Sequence, residues 1–275
     1  MASENASPSL PRILCLHGGG TSAVIFKIQL RNLCRALRDH FRFIFLDAPY
    51  LSPAGPGVLP VFADVGPYYR WMPVEDYSSE GVDAGVKEQE RGAKKTRQRI
   101  MEAIRDDDKA IAEGDSTAEP GPVVAVVGFS MGGRMTAGLL ADTAEERAGE
   151  TPGMPDFKFG VMLCASYPPY SLTNASKSPS DYSDPKDDLG TLLPPSEEEI
   201  LKIPSVHVRG LLDSNLERGR RLSKYFKDGG VKEEMEFEMY HNLPQAAGDT
   251  TSGGQKSTNE IADAILRVWS KAQSA

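Results

Sequence analysis

Nowhere in this chain does an apolar run approach the roughly 20 residues needed to cross a bilayer as a helix. The longest useful run, Val123 to Val127, has the length of a buried strand. A basic surplus is missing as well: 31 Lys and Arg stand against 39 Asp and Glu, a formal net charge of −8. Phosphate contacts supply most of a nucleic-acid binder's affinity, so a nucleic-acid partner is set aside. Cysteine is scarce. Cys15, Cys34 and Cys164 form no C-x-x-C pair, and each lies inside an apolar pattern. Such an odd, scattered set suits small buried side chains in a reducing compartment, and offers neither a metal site nor a cysteine nucleophile. The opening residues, Met-Ala-Ser-Glu-Asn-Ala-Ser-Pro, carry no basic n-region and no apolar h-region, and Ala at position 2 removes the myristoylation signal. A cytoplasmic protein with no membrane partner is the expectation.

What is present alternates between two periods. A polar leader over residues 1–10 precedes an expected single domain over 11–275, in which Arg12 to Leu16 reads as a strand ending in His17-Gly18-Gly19-Gly20. Leu30, Leu33, Cys34 and Leu37 then recur at helical spacing, and Phe41 to Leu46 is a second strand. Residues 50–86, rich in Pro, Gly and aromatics, break this rhythm as a first excursion. A charged helix with Ile100, Ile104 and Ile111 on one face follows, over about 88–113. Gly121 to Val127 is a continuous apolar strand of the kind buried on both faces of a parallel sheet, running into Gly128-Phe129-Ser130-Met131-Gly132-Gly133 and a helix. Phe159 to Ala165 is the next strand, and a second excursion covers about 167–200. Val206 to Leu212 is a strand ending at Asp213. Ser214 and Glu217 have capping-box spacing for a helix that stops at Asp228-Gly229-Gly230. Met235 to Tyr240 is the last strand, and Ser257 with Glu260 opens a C-terminal helix faced by Ile261, Ile265, Val268 and Trp269. The implied class is α/β, a mostly parallel doubly wound sheet with helices on both faces.

The chemistry concentrates at strand ends. Gly128-Phe129-Ser130-Met131-Gly132 matches G-x-S-x-G, which places a serine on a tight strand-to-helix turn where flanking glycines avoid a Cβ clash. Alone, the pattern is common in a chain with 26 glycines; the buried strand before it and the helix after it give it weight. A serine hydroxyl needs a base, and the base needs a group that fixes its tautomer. Of four histidines, His17 lies in the first glycine turn, His40 at a helix end and His207 inside a strand, where a satisfied core residue is the better reading. His241 alone follows the last strand. The chain order Ser, Asp, His selects it together with Asp213, which ends a strand before a helix. Asp213 could instead be a helix cap, and Asp181, Asp184, Asp187 and Asp188 compete from a polar loop. Two N–H donors for an oxyanion are expected from Met131 and from the glycine turn, best at Gly19. That turn has neither the Lys-Ser/Thr of a P-loop nor dinucleotide-fingerprint spacing. No metal and no organic cofactor are required.

Taken together, Ile13-Leu14-Cys15-Leu16-His17-Gly18, Phe45-Leu46-Asp47-Ala48-Pro49-Tyr50, Tyr68-Tyr69-Arg70-Trp71, Gly128-Phe129-Ser130-Met131-Gly132, Gly210-Leu211-Leu212-Asp213 and His241-Asn242-Leu243-Pro244 resemble the fungal serine-hydrolase family of the α/β-hydrolases, over about residues 11–270. The resemblance implies an α/β-hydrolase fold with Ser130, Asp213 and His241 as the triad. It also implies hydrolysis of an ester or thioester through an acyl-serine, in a group that includes esterases and thioesterases encoded beside polyketide synthases. A small acyl ester or thioester is then the expected substrate, and a polyketide synthase acyl carrier domain a candidate partner. Two residues depart from the family pattern: Met131 where Gln is frequent, and Tyr240 where Gly usually precedes the histidine. Tyr68, Tyr69, Trp71 and Tyr167 in the two excursions are expected to wall an acyl pocket, although they could also only pack their own loops. The alternatives are acyl transfer to an acceptor other than water, and a ligand-binding protein of this fold without turnover.

Overall fold

Short runs rich in Val, Ile, Leu and Phe pair in parallel at the centre of the molecule. The computed structural model describes residues 9–73, 82–114, 119–147, 154–173, 200–227, 231–244 and 253–274. The strands in chain order are β1 (Arg12–Leu16), β2 (Arg42–Leu46), β3 (Tyr50–Ser52), β4 (Tyr68–Arg70), β5 (Val123–Phe129), β6 (Phe159–Leu163), β7 (Ser205–Gly210) and β8 (Lys232–Phe237). Six of them form one sheet in the order β2-β1-β5-β6-β7-β8, every pair parallel. The chain goes outward from β1 to β2 and then returns past β1 to β5. The carboxyl ends of β1 and β5 therefore flank the point where strand order reverses, which is where open α/β sheets place a binding crevice.

Alternation along each strand feeds two cores. Leu14, Leu16, Val126 and Met162 face one layer; Ile13, Cys15, Val127, Phe159, Val161 and Leu163 face the other. The helices are α1 (Ala23–Gln29), α2 (Arg31–Leu37), α3 (Val82–Gly114), α4 (Met131–Arg147), α5 (Leu216–Ser223) and α6 (Gly253–Gln273). Residues of α3, α4 and α5 fill the first layer, and residues of α1, α2 and α6 the second. The second includes Ile261, Ile265 and Val268, the face expected of the last helix, with Trp269 packed beside them. Helix α4 is buried from Gly132 to Leu140, and Arg134 and Thr136 are enclosed along with its apolar residues, so no single apolar face is set apart.

Several element boundaries differ from the expectation. The helix after β1 is broken at Leu30 (φ −87°, ψ 0°), which ends α1 and begins α2. Helix α3 begins at Val82, before the apolar repeat that marks its later turns. Helix α6 begins at Gly253, so Ser257 and Glu260 lie inside it and do not open it. Asn215 precedes α5 without a side-chain cap, and the Ser214–Glu217 box is not formed. Glu217 instead accepts a hydrogen bond from Arg220, and α5 ends at Ser223, before Asp228-Gly229-Gly230, which lie outside the described residues. Residues 1–8 and 174–199 are also outside them, including Asp181, Asp184, Asp187 and Asp188.

The first excursion holds an antiparallel ribbon of β3 and β4. Gly20 N–H donates to Tyr69 O and Tyr69 N–H to Thr21 O, which fasten that ribbon to the glycine turn after β1. Asp107 on α3 accepts from Arg12 on β1 and Arg42 on β2, tying this helix to two strands. The edge strand β8 is charged. Arg209 donates to Glu234 and Glu236, Arg220 to Glu236, and Arg267 to Glu233. Hydrogen bonds from Arg220 and Arg209 pull the Glu236 carboxyl down to about 2.

Candidate active site

The turn after β5 is fixed by contacts that permit no side chain. A Cβ on Gly128 would lie 2.1 Å from Gly132 O, and one on Gly132 only 2.0 Å from Leu16 O. Between them Ser130 adopts φ +53°, a left-handed conformation that costs a non-glycine residue of the order of 1 kcal/mol or more. Its own backbone is held on both sides: Ser130 N–H donates to Leu163 O, and Arg134 N–H donates to Ser130 O. The strain lifts the Ser130 hydroxyl out of the strand at the first turn of α4.

Asp213 and His241 arrive on short turns beyond β7 and β8, not at the strand ends themselves. Leu211 N–H donates to Phe237 O and Leu212 N–H to Met239 O, so each turn is registered against the other. The Asp213 carboxylate is buried. Its Oδ1 accepts from Asn215 N–H at 2.8 Å and its Oδ2 from His241 Nδ1 at 2.6 Å. Burial alone would raise its pKa, but the hydrogen bonds from His241 and Asn215 outweigh it and keep the group below the usual carboxylate range. With Nδ1 carrying its proton toward Asp213, His241 Nε2 has a lone pair, and it lies 2.8 Å from Ser130 Oγ. The Phe129 ring packs against the imidazole at 5.2 Å. Three residues from distant parts of the chain thus make one line of hydrogen bonds that can move a proton off the serine.

Tyr240 fits where glycine is usual. Among the described residues only Ser130 and Cys164 combine a side chain with positive φ, so the position before His241 demands no left-handed backbone. The Tyr240 side chain points outward at 69% exposure, and its carbonyl lies against Gly210.

The expected oxyanion donors are neighbours. A Cβ on Gly19 would meet the Met131 side chain at 3.1 Å, so the glycine turn lies directly against the first residue of α4. His17 is fully buried beneath that turn. Its Nδ1 lies 2.6 Å from Gly18 O, and its Nε2 accepts from Ala48 N–H at 3.0 Å. His40 is exposed, and His207 is buried in β7 beside Ser205 and the Phe226 ring.

The four aromatics of the expected pocket divide. Trp71 is fully buried and its indole N–H donates to His17 O at 2.7 Å, so it is corrected from a pocket wall to a brace under the glycine turn. Tyr68 is half-buried and its hydroxyl donates to Phe62 O. Tyr69 is half-buried on the ribbon, packed on the core. Tyr167 is half-buried and stacked on Tyr225 at 5.5 Å, with the Arg221 guanidinium over its ring. A small apolar cavity lined by Leu30, Leu33, Leu163, Leu243 and Ile261 includes none of the triad residues in its wall.

Cys164 has no signal in the sequence beyond its apolar setting, yet it stands beside the triad. It follows β6 with φ +47°, and its thiol donates to Asn242 O. Its sulfur, an Asp213 oxygen and a His241 nitrogen lie within 4.8 Å of one another, a spacing that a metal ion could span. The chemistry of the set does not suit one. The Cys164 thiol is already committed to Asn242 O, and burial with the nearby Asp213 charge pushes it up to about 12. Asp213 and His241 already spend their facing atoms on each other.

The two buried histidines make the fold sensitive to acid. Burial lowers His17 to about 4 and His207 to about 3. An unfolded imidazole takes its proton near 6.5. Between about pH 6.5 and 4 the unfolded chain binds protons that the native state refuses, so stability is complete above 6.5 and falls with pH. The melting temperature is expected to drop by several degrees from pH 7 to pH 5. A His207→Leu variant should lose about half of that slope, because one of the two protons is gone. Equal slopes in wild type and variant would place the acid sensitivity elsewhere.

Known proteins resemble this chain in sequence and in fold. The profile of the family described as "Serine hydrolase (FSH1)" matches residues 6–252. An esterase of Pestalotiopsis microspora is 35% identical over 250 residues, covering 86% of this chain and 87% of that one. The dihydromonacolin L-[lovastatin nonaketide synthase] thioesterase of Aspergillus terreus is 33% identical over 252 residues, covering 89% and 91%. Among solved structures, a bacterial heroin esterase aligns over 96% of this chain and 77% of its own, with 17% identity and a TM-score of 0.52, which is a likeness of fold.

Proposed function

The chain belongs to the FSH1 serine hydrolase family, and as a serine hydrolase of the α/β-hydrolase fold we propose that it cleaves an acyl ester or thioester with Ser130 as nucleophile, His241 as base and Asp213 as the group that orients it. The observation that supports this most is the unbroken path from Ser130 Oγ through His241 Nε2 and Nδ1 to Asp213 Oδ2, at 2.8 and 2.6 Å. His241 Nε2 takes the hydroxyl proton as Ser130 Oγ attacks the acyl carbon. The carbonyl oxygen becomes an oxyanion, and Met131 N–H and Gly19 N–H donate to it. His241 then returns the proton to the departing alkoxide or thiolate, leaving an acyl-serine. In the second half a water gives its proton to His241 and attacks the same carbon, releasing the acid and restoring Ser130. No metal and no organic cofactor enters these steps.

The leaving group is a thiol in this reading, carried by coenzyme A or by the phosphopantetheine arm of a polyketide synthase carrier domain. The thioesterase relative supports it, and the half-buried Tyr68, Tyr69 and Tyr167 of the two excursions would suit the acyl chain, since acyl pockets are mostly apolar with few polar anchors. The reaction would then take place in the cytoplasm. The test compares kcat/KM on a thioester and an oxygen ester of one acyl group, so that only the leaving group varies. A preference for the thioester, with release of product from a loaded carrier domain, is expected. Preference for simple oxygen esters and no release from the carrier would make it a general esterase. A product carrying the acyl group on an added alcohol or amine would make it a transferase.

A further inference from the structure

A peptide group points its C=O and its N–H in opposite directions, so fixing one aims the other. The peptide joining Gly18 to Gly19 carries the N–H proposed above as an oxyanion donor, and its carbonyl is Gly18 O. That carbonyl is held at 2.6 Å by the imidazole of His17, the residue just before it. The ring itself cannot turn over. Ala48 N–H, at the end of β2, donates to Nε2, so Nε2 must be the acceptor and Nδ1 must carry the proton.

The preceding peptide is fixed as well. Its carbonyl, His17 O, accepts from the indole N–H of Trp71 at 2.7 Å. Trp71 is held in turn by Thr96 on α3, whose hydroxyl donates to Trp71 O at 2.6 Å. The indole and imidazole rings also pack together at 5.1 Å. His17, Trp71 and Thr96 are all fully buried. Gly20, the next residue, is tied by its N–H to Tyr69 O and by its carbonyl to Gly55 N–H. The peptides on both sides of the Gly18–Gly19 peptide are therefore each held by a hydrogen bond.

We propose that His17 is a positioning residue for the reaction: its Nδ1–H, backed by Trp71 and Thr96, holds the Gly18–Gly19 peptide so that the Gly19 N–H faces the oxyanion. The inference rests on the reading of Ser130 and Gly19 given above. Burial keeps the ring neutral above about pH 4, so the orientation is maintained throughout the working range. A histidine beside a catalytic serine invites assignment as an acid or base, but both nitrogens of His17 are spent on backbone groups.

The test uses the full chain with His17→Leu, His17→Asn and Trp71→Phe. Active sites are counted first with a fluorophosphonate, so that misfolded protein does not enter the rates. Then kcat and KM are measured on an activated ester, with the inhibition constant of a trifluoromethyl ketone bearing the same acyl group. This inhibitor forms a tetrahedral oxyanion on the serine and reports the oxyanion donors directly. His17→Leu should lower kcat by about 10²-fold with KM within about threefold, as for loss of one donor. The ketone should weaken in proportion. His17→Asn, whose amide N–H falls near the place of Nδ1–H, should recover most of the loss. Trp71→Phe should lose about tenfold, with kcat and ketone affinity again falling together. A loss of kcat without loss of ketone affinity overturns the proposal, as does His17→Leu turnover within about twofold of wild type. If the His17 variants do not fold, the parallel in Trp71→Phe decides it alone. A wild-type protein that neither reacts with the fluorophosphonate nor hydrolyses the ester would instead remove the underlying reading.

Discussion

Replacement of Ser130 by alanine is expected to reduce kcat on an activated ester by about 10⁴-fold or more, with the fold unchanged. The hydroxyl is the only atom on this turn that both faces His241 Nε2 and can attack a carbonyl carbon. Its backbone is held by bonds at Ser130 N and Ser130 O, which alanine keeps. Alanine shares the unfavourable left-handed φ, so the conformational cost is unchanged and the melting temperature should stay within a few degrees of wild type. Fluorophosphonate labelling should disappear with the activity. A variant that retains more than about a tenth of wild-type turnover would place the nucleophile elsewhere.

Asp213→Asn should cost about 10³- to 10⁴-fold in kcat, and the reason is local. Asn215 N–H needs an acceptor, and in wild type it has Asp213 Oδ1. An asparagine would keep its carbonyl oxygen there and turn its NH₂ toward His241 Nδ1. The imidazole would then accept at Nδ1 and carry its proton on Nε2, where it can no longer receive the serine proton. The same change at Asp184 or Asp188 should leave turnover near wild type. Equal losses at Asp184 and Asp213 would mean that the acid belongs to the polar loop and not to the turn after β7.

The sheet was legible because parallel strands buried on both faces read as unbroken apolar runs, as Val123–Val127 does. The site was legible where chemistry constrains residue type: the glycines around Ser130 are dictated by backbone atoms within about 2 Å of where a Cβ would be. Less was readable where a residue works through its backbone or its position in space. The three-residue strands β3 and β4 are too short to show alternation. The early turns of α6 are polar, so its apolar repeat marks only the later part. Trp71 looked like a pocket aromatic because a sequence cannot say which way an indole N–H points, and the orienting role of Asn215 N–H leaves no trace in side-chain pattern at all.

Strand β8 has one further consequence. It closes the described sheet on one side, so its outer backbone groups have no strand to pair with, a template on which a second molecule could build. Its six residues are Lys-Glu-Glu-Met-Glu-Phe, with Arg209, Arg220, Arg267 and Lys271 clasping the glutamates. A second copy approaching edge to edge would bring three glutamates against three more and would have to break these clasps to lie flat. The same ion pairs that fasten β8 to its own molecule thus discourage fibril-like stacking, a form of protection against self-association placed on the strand whose following turn carries His241.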